Sequence, residues 1–235
     1  VRIFSMSFMS ASELYASAPS IFPKAFTLEN YRSIFQGNIP IFTFLKNTVI
    51  MALLITAVQL AVSSITAYAL TGLDVPFKNL IFILILGGMM IPFESTMLAN
   101  YLFVAQNGLR NQYLGLILPF LLSPAGIFLM RQQFKSIPKE IYDAAAIDGC
   151  GPVRLFLRLL LPMSGNALAS LAILSMITAW NQYIWPLLVT DKNEMRTVQV
   201  GISMLQGLEF SDYTLVMAGI VLVQRGTTVL KPEIS

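Results

Sequence analysis

From Asn47 to Leu70 the chain carries no charged side chain. A bilayer core takes roughly 20 predominantly apolar residues as helix, and this run reaches that length. Ala61, Ser63, Ser64 and Ala67 lie within it and supply the small side chains that let membrane helices pack closely. Composition extends the inference to the whole chain. Of 235 residues 56% are hydrophobic and only 11% are charged, with a mean hydropathy of +0.70. A soluble domain carries about 25% charged residues, so part of this surface must meet lipid.

Further apolar stretches follow at intervals. A second span is expected from Leu80, interrupted by Gly87-Gly88, Pro92, Glu94 and Asn100 before Tyr101 to Val104 resumes it. A third is expected from Tyr113 to Met130, with Pro119 and Pro124 inside, and a fourth from Asn166 to Val189. The fourth ends in Trp180, Tyr183 and Trp185, aromatics that suit an interface or a vestibule. A fifth stretch from Tyr213 stays apolar only to Val223 and is too short to cross. The expectation is an all-α, polytopic transmembrane bundle of four complete spans plus a stump. Residues 1–46 would form an extracytoplasmic segment, 47–223 the membrane domain with a polar loop at 131–164, and 224–235 a short tail. Val1–Phe8 reads as the end of a preceding helix, and Thr27 as the cap of a short helix from Leu28 to Phe35.

Several function classes fall away. The net charge is +3, but the 15 basic residues are scattered without a basic run, so no nucleic-acid footprint is present. Basic residues in cytoplasmic loops account for the excess. With the loop at 131–164 inside the cell, the basic residues nearly balance across the membrane. Arg2 and Lys24 lie beyond the about 20 residues over which the charge rule acts, which favours this orientation. One cysteine, Cys150, permits no internal disulfide and argues against a thiolate metal site; it reads as a small residue at a turn. There is no histidine, the commonest general base and metal ligand, and no residue stands out as catalytic. No phosphate-cradling G-x-x-x-x-G-K-[ST] loop occurs, so any ATP that drives this protein is hydrolysed by another chain.

The polar loop is the most informative segment. Pro138 suits the start of a helix, with Glu140 and Asp143 near its positive end. Ile141, Ala144, Ala145 and Asp148 recur at helical spacing and define one face with small side chains. Gly149 can supply the left-handed residue that ends the helix. A second helix is expected from Pro152, with Val153, Phe156, Leu157 and Leu160 as its apolar face and Arg154 and Arg158 together on another. Helix, glycine turn and amphipathic helix make a compact knob. A face of small residues admits the close approach of a partner's groove.

The run Glu140-x-x-Asp143-Ala144-Ala145-x-Ile147-Asp148-Gly149, followed by Phe156 and Leu161-Pro162, resembles the EAA loop of permease subunits in binding-protein-dependent ABC importers. Thr27 to Tyr31, Ile91-Pro92-x-Glu94, Tyr113 to Pro119 and Trp180-Asn181-Gln182-Tyr183-x-Trp185-Pro186 are similar to the carbohydrate branch, within it to the six-span maltose and glycerol-3-phosphate type. The resemblance covers roughly Ser10 to Gly219. Asp143 stands where Glu is usual, Cys150 where Ala is usual, and Asn166 where Pro often follows the Leu-Pro pair. Relative to that family, a first span before residue 1 and about ten apolar residues of the last span are expected to be lacking.

The resemblance implies a type I importer permease fold in a bacterial or archaeal cytoplasmic membrane. It implies a cytoplasmic coupling helix, with Glu140, Ile141, Asp143, Ala144, Ala145, Ile147, Asp148, Gly149 and Gly151 seated in a cleft of the ATPase. It further implies two ATP-binding subunits that hold ATP and Mg, a second homologous permease, an extracytoplasmic solute-binding protein, and a sugar, oligosaccharide or polyol phosphate as solute. Glu94 has two readings: an ionisable group lining a cavity or paired at depth, or a carboxylate near the outer interface where Pro92 breaks the helix. Asn181, Tyr183 and Trp185 either line the solute path or belong to an aromatic belt. The alternatives to a permease are a membrane enzyme, which needs a clustered acid, base, nucleophile or metal, and a stand-alone channel, which needs a filter loop or charged rings. Neither pattern is visible.

Overall fold

The computed structural model describes residues 5–10, 13, 26–30, 32, 40–207, 217–219 and 221. The stretch from Tyr213 and the tail 224–235 fall outside them apart from four positions, as does half of the helix expected over Leu28–Phe35. At the start of that helix Thr27 acts as expected: its hydroxyl accepts from the Glu29 backbone N–H at 3.2 Å.

Helix is the regular structure of residues 41–207. α1 (Ile41–Gly72), with 32 residues and a mean hydropathy of 2.1 in its most apolar window, is the one described helix that is long and apolar enough to cross a membrane alone. It starts before Asn47 because Lys46 sits on an exposed face and does not interrupt the helix. α2 (Lys78–Gly88) and α3 (Phe93–Gln106) reach that criterion jointly but are bent by 91°. The same holds for α4 (Tyr113–Ile117, continued as a 3-10 turn to Phe120) and α5 (Pro124–Ser136), bent by 55°. α6 (Lys139–Ile147) follows. α7 (Pro152–Met163) and α8 (Gly165–Trp180) form the third such pair, bent by 77°. α9 (Ile184–Val189) and α10 (Val198–Gly207) complete the described chain. Counting each bent pair as one gives four candidate spans.

The fourth span differs from its expectation. The helix stops at Trp180, and α9 is a separate six-residue helix after a break at 181–183. The apolar run through Val189 hid this break, because the segment is apolar on both sides of it.

The chain divides into two compact units. Residues 51–109 and 114–179 make one of them. Its core joins Ala67 and Tyr68 of α1, Met130 and Phe134 of α5, Ala145 of α6, Leu155 and Leu160 of α7, and Ala167 and Leu171 of α8. Small residues let the helices approach. Ser63 and Ala67 are fully buried and Ser64 nearly so, whereas Ala61 is exposed, contrary to the role expected of it. A Cβ on Gly126 of α5 would lie 2.6 Å from the Ser63 hydroxyl and 3.0 Å from a Leu171 methyl. The helix breaks expose backbone groups that need partners. At the break after α4 the Gln59 amide donates to the Phe120 carbonyl at 2.6 Å, and Ser123 accepts from Gly126 N–H at 3.1 Å, capping α5 ahead of Pro124.

The other unit comprises residues up to 50, 110–113 and from 180 onward, and polar side chains tie it together. Asn47, on α1, donates to the carbonyls of Glu194 and Arg196 at 2.7 and 3.0 Å and accepts from the Tyr113 hydroxyl at 2.7 Å. Thr48 accepts from the Val198 N–H at 2.9 Å, fixing the start of α10. Asn111 takes φ +57°, a left-handed conformation that Asn tolerates. Its side chain bonds the Asp191 carboxylate and accepts from the N–H groups of Asp191 and Lys192, while Arg110 pairs with Asp191 at 3.1 Å. The Asn111 hydrogen bond, then the Arg110 charge, hold the Asp191 carboxyl below the usual carboxylate range. That contribution is present at neutral pH and fades as pH falls through the lowered value.

The close approach at Gly126 has a measurable consequence. Gly126→Leu should overpack the contact with Ser63 and Leu171 and destabilise by about 1–3 kcal/mol. Gly88→Ala, where an added Cβ meets nothing within 4 Å, should stay within about 0.5 kcal/mol of the parent. Thermal melting of the purified protein in detergent checks this: only the Gly126 variant should melt early.

Candidate functional site

The knob expected from the polar loop is present and rigidly built. α6 begins after Pro138 with Glu140 in its first turn, a favourable place for negative charge. It ends at Gly149, whose φ is +67°. There the Gly149 N–H donates to the Ala146 carbonyl at 3.1 Å and the Cys150 N–H to the Ala145 carbonyl at 2.8 Å. These paired bonds are the usual closure of a helix that ends on a left-handed glycine. Half-buried Cys150 packs against the core that includes Ala145, so its role is that of a small residue at a turn. Gly151 then takes an extended conformation and Pro152 opens α7 at its first position.

The face expected to admit a partner is only partly free. Ile141, Tyr142 and Ala145 pack against the core, whereas Ala144 and Asp148 are exposed. The Tyr142 hydroxyl donates to the Phe134 carbonyl at 3.0 Å. Burial pushes that hydroxyl above the usual phenol range. In α7 a π turn spans Phe156–Leu160. Leu155 and Leu160 are buried and Phe156 packs against the core, whereas Leu157 is 54% exposed and Val153 70% exposed. Of the expected apolar face, Phe156 and Leu160 meet the core and Val153 and Leu157 do not. Arg154 and Arg158, expected together on another face, are both exposed.

The nine residues singled out on the loop therefore divide. Ile141 and Ala145 anchor the knob to its own unit. Glu140, Asp143, Ala144, Ile147, Asp148, Gly149 and Gly151 form its exposed side. Ile147 is 87% exposed, a large apolar side chain presented at the tip beside three carboxylates. Sequence reasoning missed the two tyrosines that hold the knob. Tyr68 donates to the Pro152 carbonyl at 3.0 Å and stacks on Phe156 with centroids 5.1 Å apart, while Phe134 meets Phe156 edge-on at 6.3 Å. A tyrosine inside a charge-free span is the available signal, since a buried hydroxyl needs a partner.

The candidates for a solute path lie in different units. Glu94 is exposed in the first turn of α3, just after the 91° bend. Asn181 and Tyr183 are exposed at the break between α8 and α9, and the Tyr183 and Ser203 hydroxyls are 2.7 Å apart. Trp185 is 1% exposed. It is buried, unlike Asn181 and Tyr183.

Comparison with known proteins agrees with this architecture. Residues 38–229 match the family model described as the binding-protein-dependent transport system inner membrane component. The arabinooligosaccharides transport system permease protein AraQ of Halalkalibacterium halodurans is 35% identical over 218 residues, covering 92% of this chain and 78% of that protein. The sn-glycerol-3-phosphate transport system permease protein UgpE of Escherichia coli is 32% identical over 221 residues, covering 91% and 79%. The fold is shared with a chain of a bacterial ABC transporter involved in the import of the acidic polysaccharide alginate. There the TM-score is 0.88 at 23% identity, over 98% of this chain and 86% of that one. With a family model matched across most of its length, relatives above 30% identity, and an all-helical membrane architecture carrying the knob, this chain belongs to the inner membrane components of binding-protein-dependent transport systems.

Proposed function

We propose that this chain is the permease subunit of an ATP-driven importer and forms half of the passage for a sugar, oligosaccharide or polyol phosphate. The exposed side of its knob seats in a cleft of the ATPase subunit. The observation that carries this reading is the tip itself. Ile147 and Val153 stand 87% and 70% exposed on a glycine-closed turn whose other side is packed into the core. An apolar tip ringed by carboxylates and held by a rigid base suits a surface that receives force. ATP and Mg belong to two copies of the partner ATPase, and a second permease and an extracytoplasmic binding protein complete the assembly. The membrane is a bacterial or archaeal cytoplasmic membrane. Family membership and the ABC importer fold support this assembly.

The solute class rests on the relatives, which carry arabinooligosaccharides and sn-glycerol 3-phosphate in their names. Within this chain Glu94, Asn181 and Tyr183 are the path candidates, each exposed and polar at a helix break. Stacking on Tyr183 and hydrogen bonds from Asn181 suit a polyhydroxylated solute.

Two measurements test the reading. Binding assays with the partner binding protein should find a carbohydrate or polyol phosphate; exclusive recognition of amino acids or metal ions would refute the solute class. The second concerns coupling in reconstituted vesicles. Gly149→Val forces a β-branched residue into a left-handed conformation at about 1–2 kcal/mol and adds bulk where the ATPase cleft closes. Stimulation of ATP hydrolysis by loaded binding protein should be lost while the spans still insert. Gly149→Asn tolerates the backbone and retains the bulk, so it separates the two causes. Asp148→Ala should be milder than Gly149→Val. Normal solute uptake by Gly149→Val at parental expression would show that the coupling element lies elsewhere.

A further inference from the structure

A cleft of about 300 Å³ opens in the unit of residues 51–109 and 114–179, where α1 ends, α2 begins, α5 ends and α6 starts. Four of its lining residues are cations: Lys78, Arg131, Lys135 and Lys139. None has a carboxylate within ion-pair distance, since the one ion pair among the described residues joins Arg110 and Asp191 in the other unit. Like charges gathered around one cavity repel unless an anion joins them.

Arg131 makes the demand specific. It is only 6% exposed, with its guanidinium 3.8 Å from the Phe82 ring centroid. One of its nitrogens donates to Asn79 Oδ1 at 3.2 Å, and its buried Nε has no protein partner. A guanidinium carries five N–H donors in a planar fork that matches phosphate oxygens. The first turn of the 11-residue α2, which carries Lys78 and Asn79, adds the partial positive charge of a helix N-terminus to the same cleft.

The surroundings indicate where the anion comes from. Phe77, immediately before Lys78, is 78% exposed, and along α2 Leu80, Ile83 and Leu84 are 54%, 63% and 67% exposed. A cationic cleft at helix ends beside an exposed apolar helix face is the arrangement that a phospholipid satisfies with headgroup and acyl chains together. We propose that this cleft binds a phosphate-ester anion, the headgroup of an anionic phospholipid whose chains lie along α2. Arg131, bonded to the exposed Asn79, forms the buried end of the site, and Lys78, Lys135 and Lys139 form its rim. The site serves lipid recognition and is separate from the solute path and from the exposed tip of the knob.

The test uses the assembled transporter in detergent, with bound lipid read by native mass spectrometry. Phosphatidylglycerol should be retained in preference to phosphatidylcholine of the same chain length. Lys78→Gln, Lys135→Gln and Lys139→Gln, at half-buried or exposed positions that leave the core intact, should each weaken retention about five-fold. The triple variant should lose the preference. Inorganic phosphate should compete only weakly. If it instead binds the parent as tightly as the lipid does, and binding is lost in the triple variant, the phosphate chemistry stands with a soluble anion as its source. Equal retention of both lipids by the parent, with no phosphate binding, overturns the proposal. Undiminished phosphatidylglycerol retention in the triple variant overturns it equally.

Discussion

The contact on which the knob depends is the junction of Tyr68, Phe134 and Phe156. Tyr68 lies near the end of the longest helix, Phe134 near the end of α5 and Phe156 in the π turn of α7. Stacking and edge-on packing of these rings, with the Tyr68 hydroxyl on the Pro152 carbonyl, fix α7 to two membrane helices at once. Without that junction the polar loop would be a tether. With it, a displacement of the knob must move α1 and α5, because packed interiors transmit strain and do not absorb it. Leu155 and Leu160, both buried, seat α7 in the same core.

Bent helices are the second organising feature, and they follow from composition. Proline, glycine and polar residues break apolar stretches that would otherwise run straight, and each break frees backbone groups that cannot be left unpaired in a membrane. The chain answers with local partners. Gln59 reaches the carbonyl at the end of the 3-10 turn, Ser123 caps α5, and Gly108 at φ +67° closes α3 as Gly149 closes α6. The breaks also coincide with exposed polar residues: Glu94 follows one bend, and Asn181 and Tyr183 occupy another interruption. Irregular backbone at membrane depth is tolerated where it is covered by protein or lines a cavity.

The unit containing residues 110–113 and 180–207 is held differently. Its described ties are chiefly hydrogen bonds that Asn47, Thr48 and Asn111 make with backbone groups, and Tyr113 with the Asn47 side chain, all more than sixty positions away in sequence. Such ties have a fixed geometry, so they specify register where apolar contact alone would allow sliding.

The sequence by itself determined the class, the placement of the apolar segments, the knob and its glycine closure. Each of these is local. Span length and charge exclusion are set by the bilayer, and the helix end at Gly149 needs only a residue without a Cβ. Tertiary packing decided which way each helix faces. Ile141, Tyr142 and Ala145 turn inward while Ala144 and Asp148 look outward, Val153 and Leu157 stay exposed beside buried Leu155 and Leu160, and Trp185 is buried. Arg131 reads in the sequence as one more basic residue of a polar loop, yet the fold buries it against Phe82 with three lysines around one cleft. Spacing along a chain reports which residues can share a face. Which neighbour that face meets depends on contacts between residues far apart in sequence, and those exist only once the helices have packed.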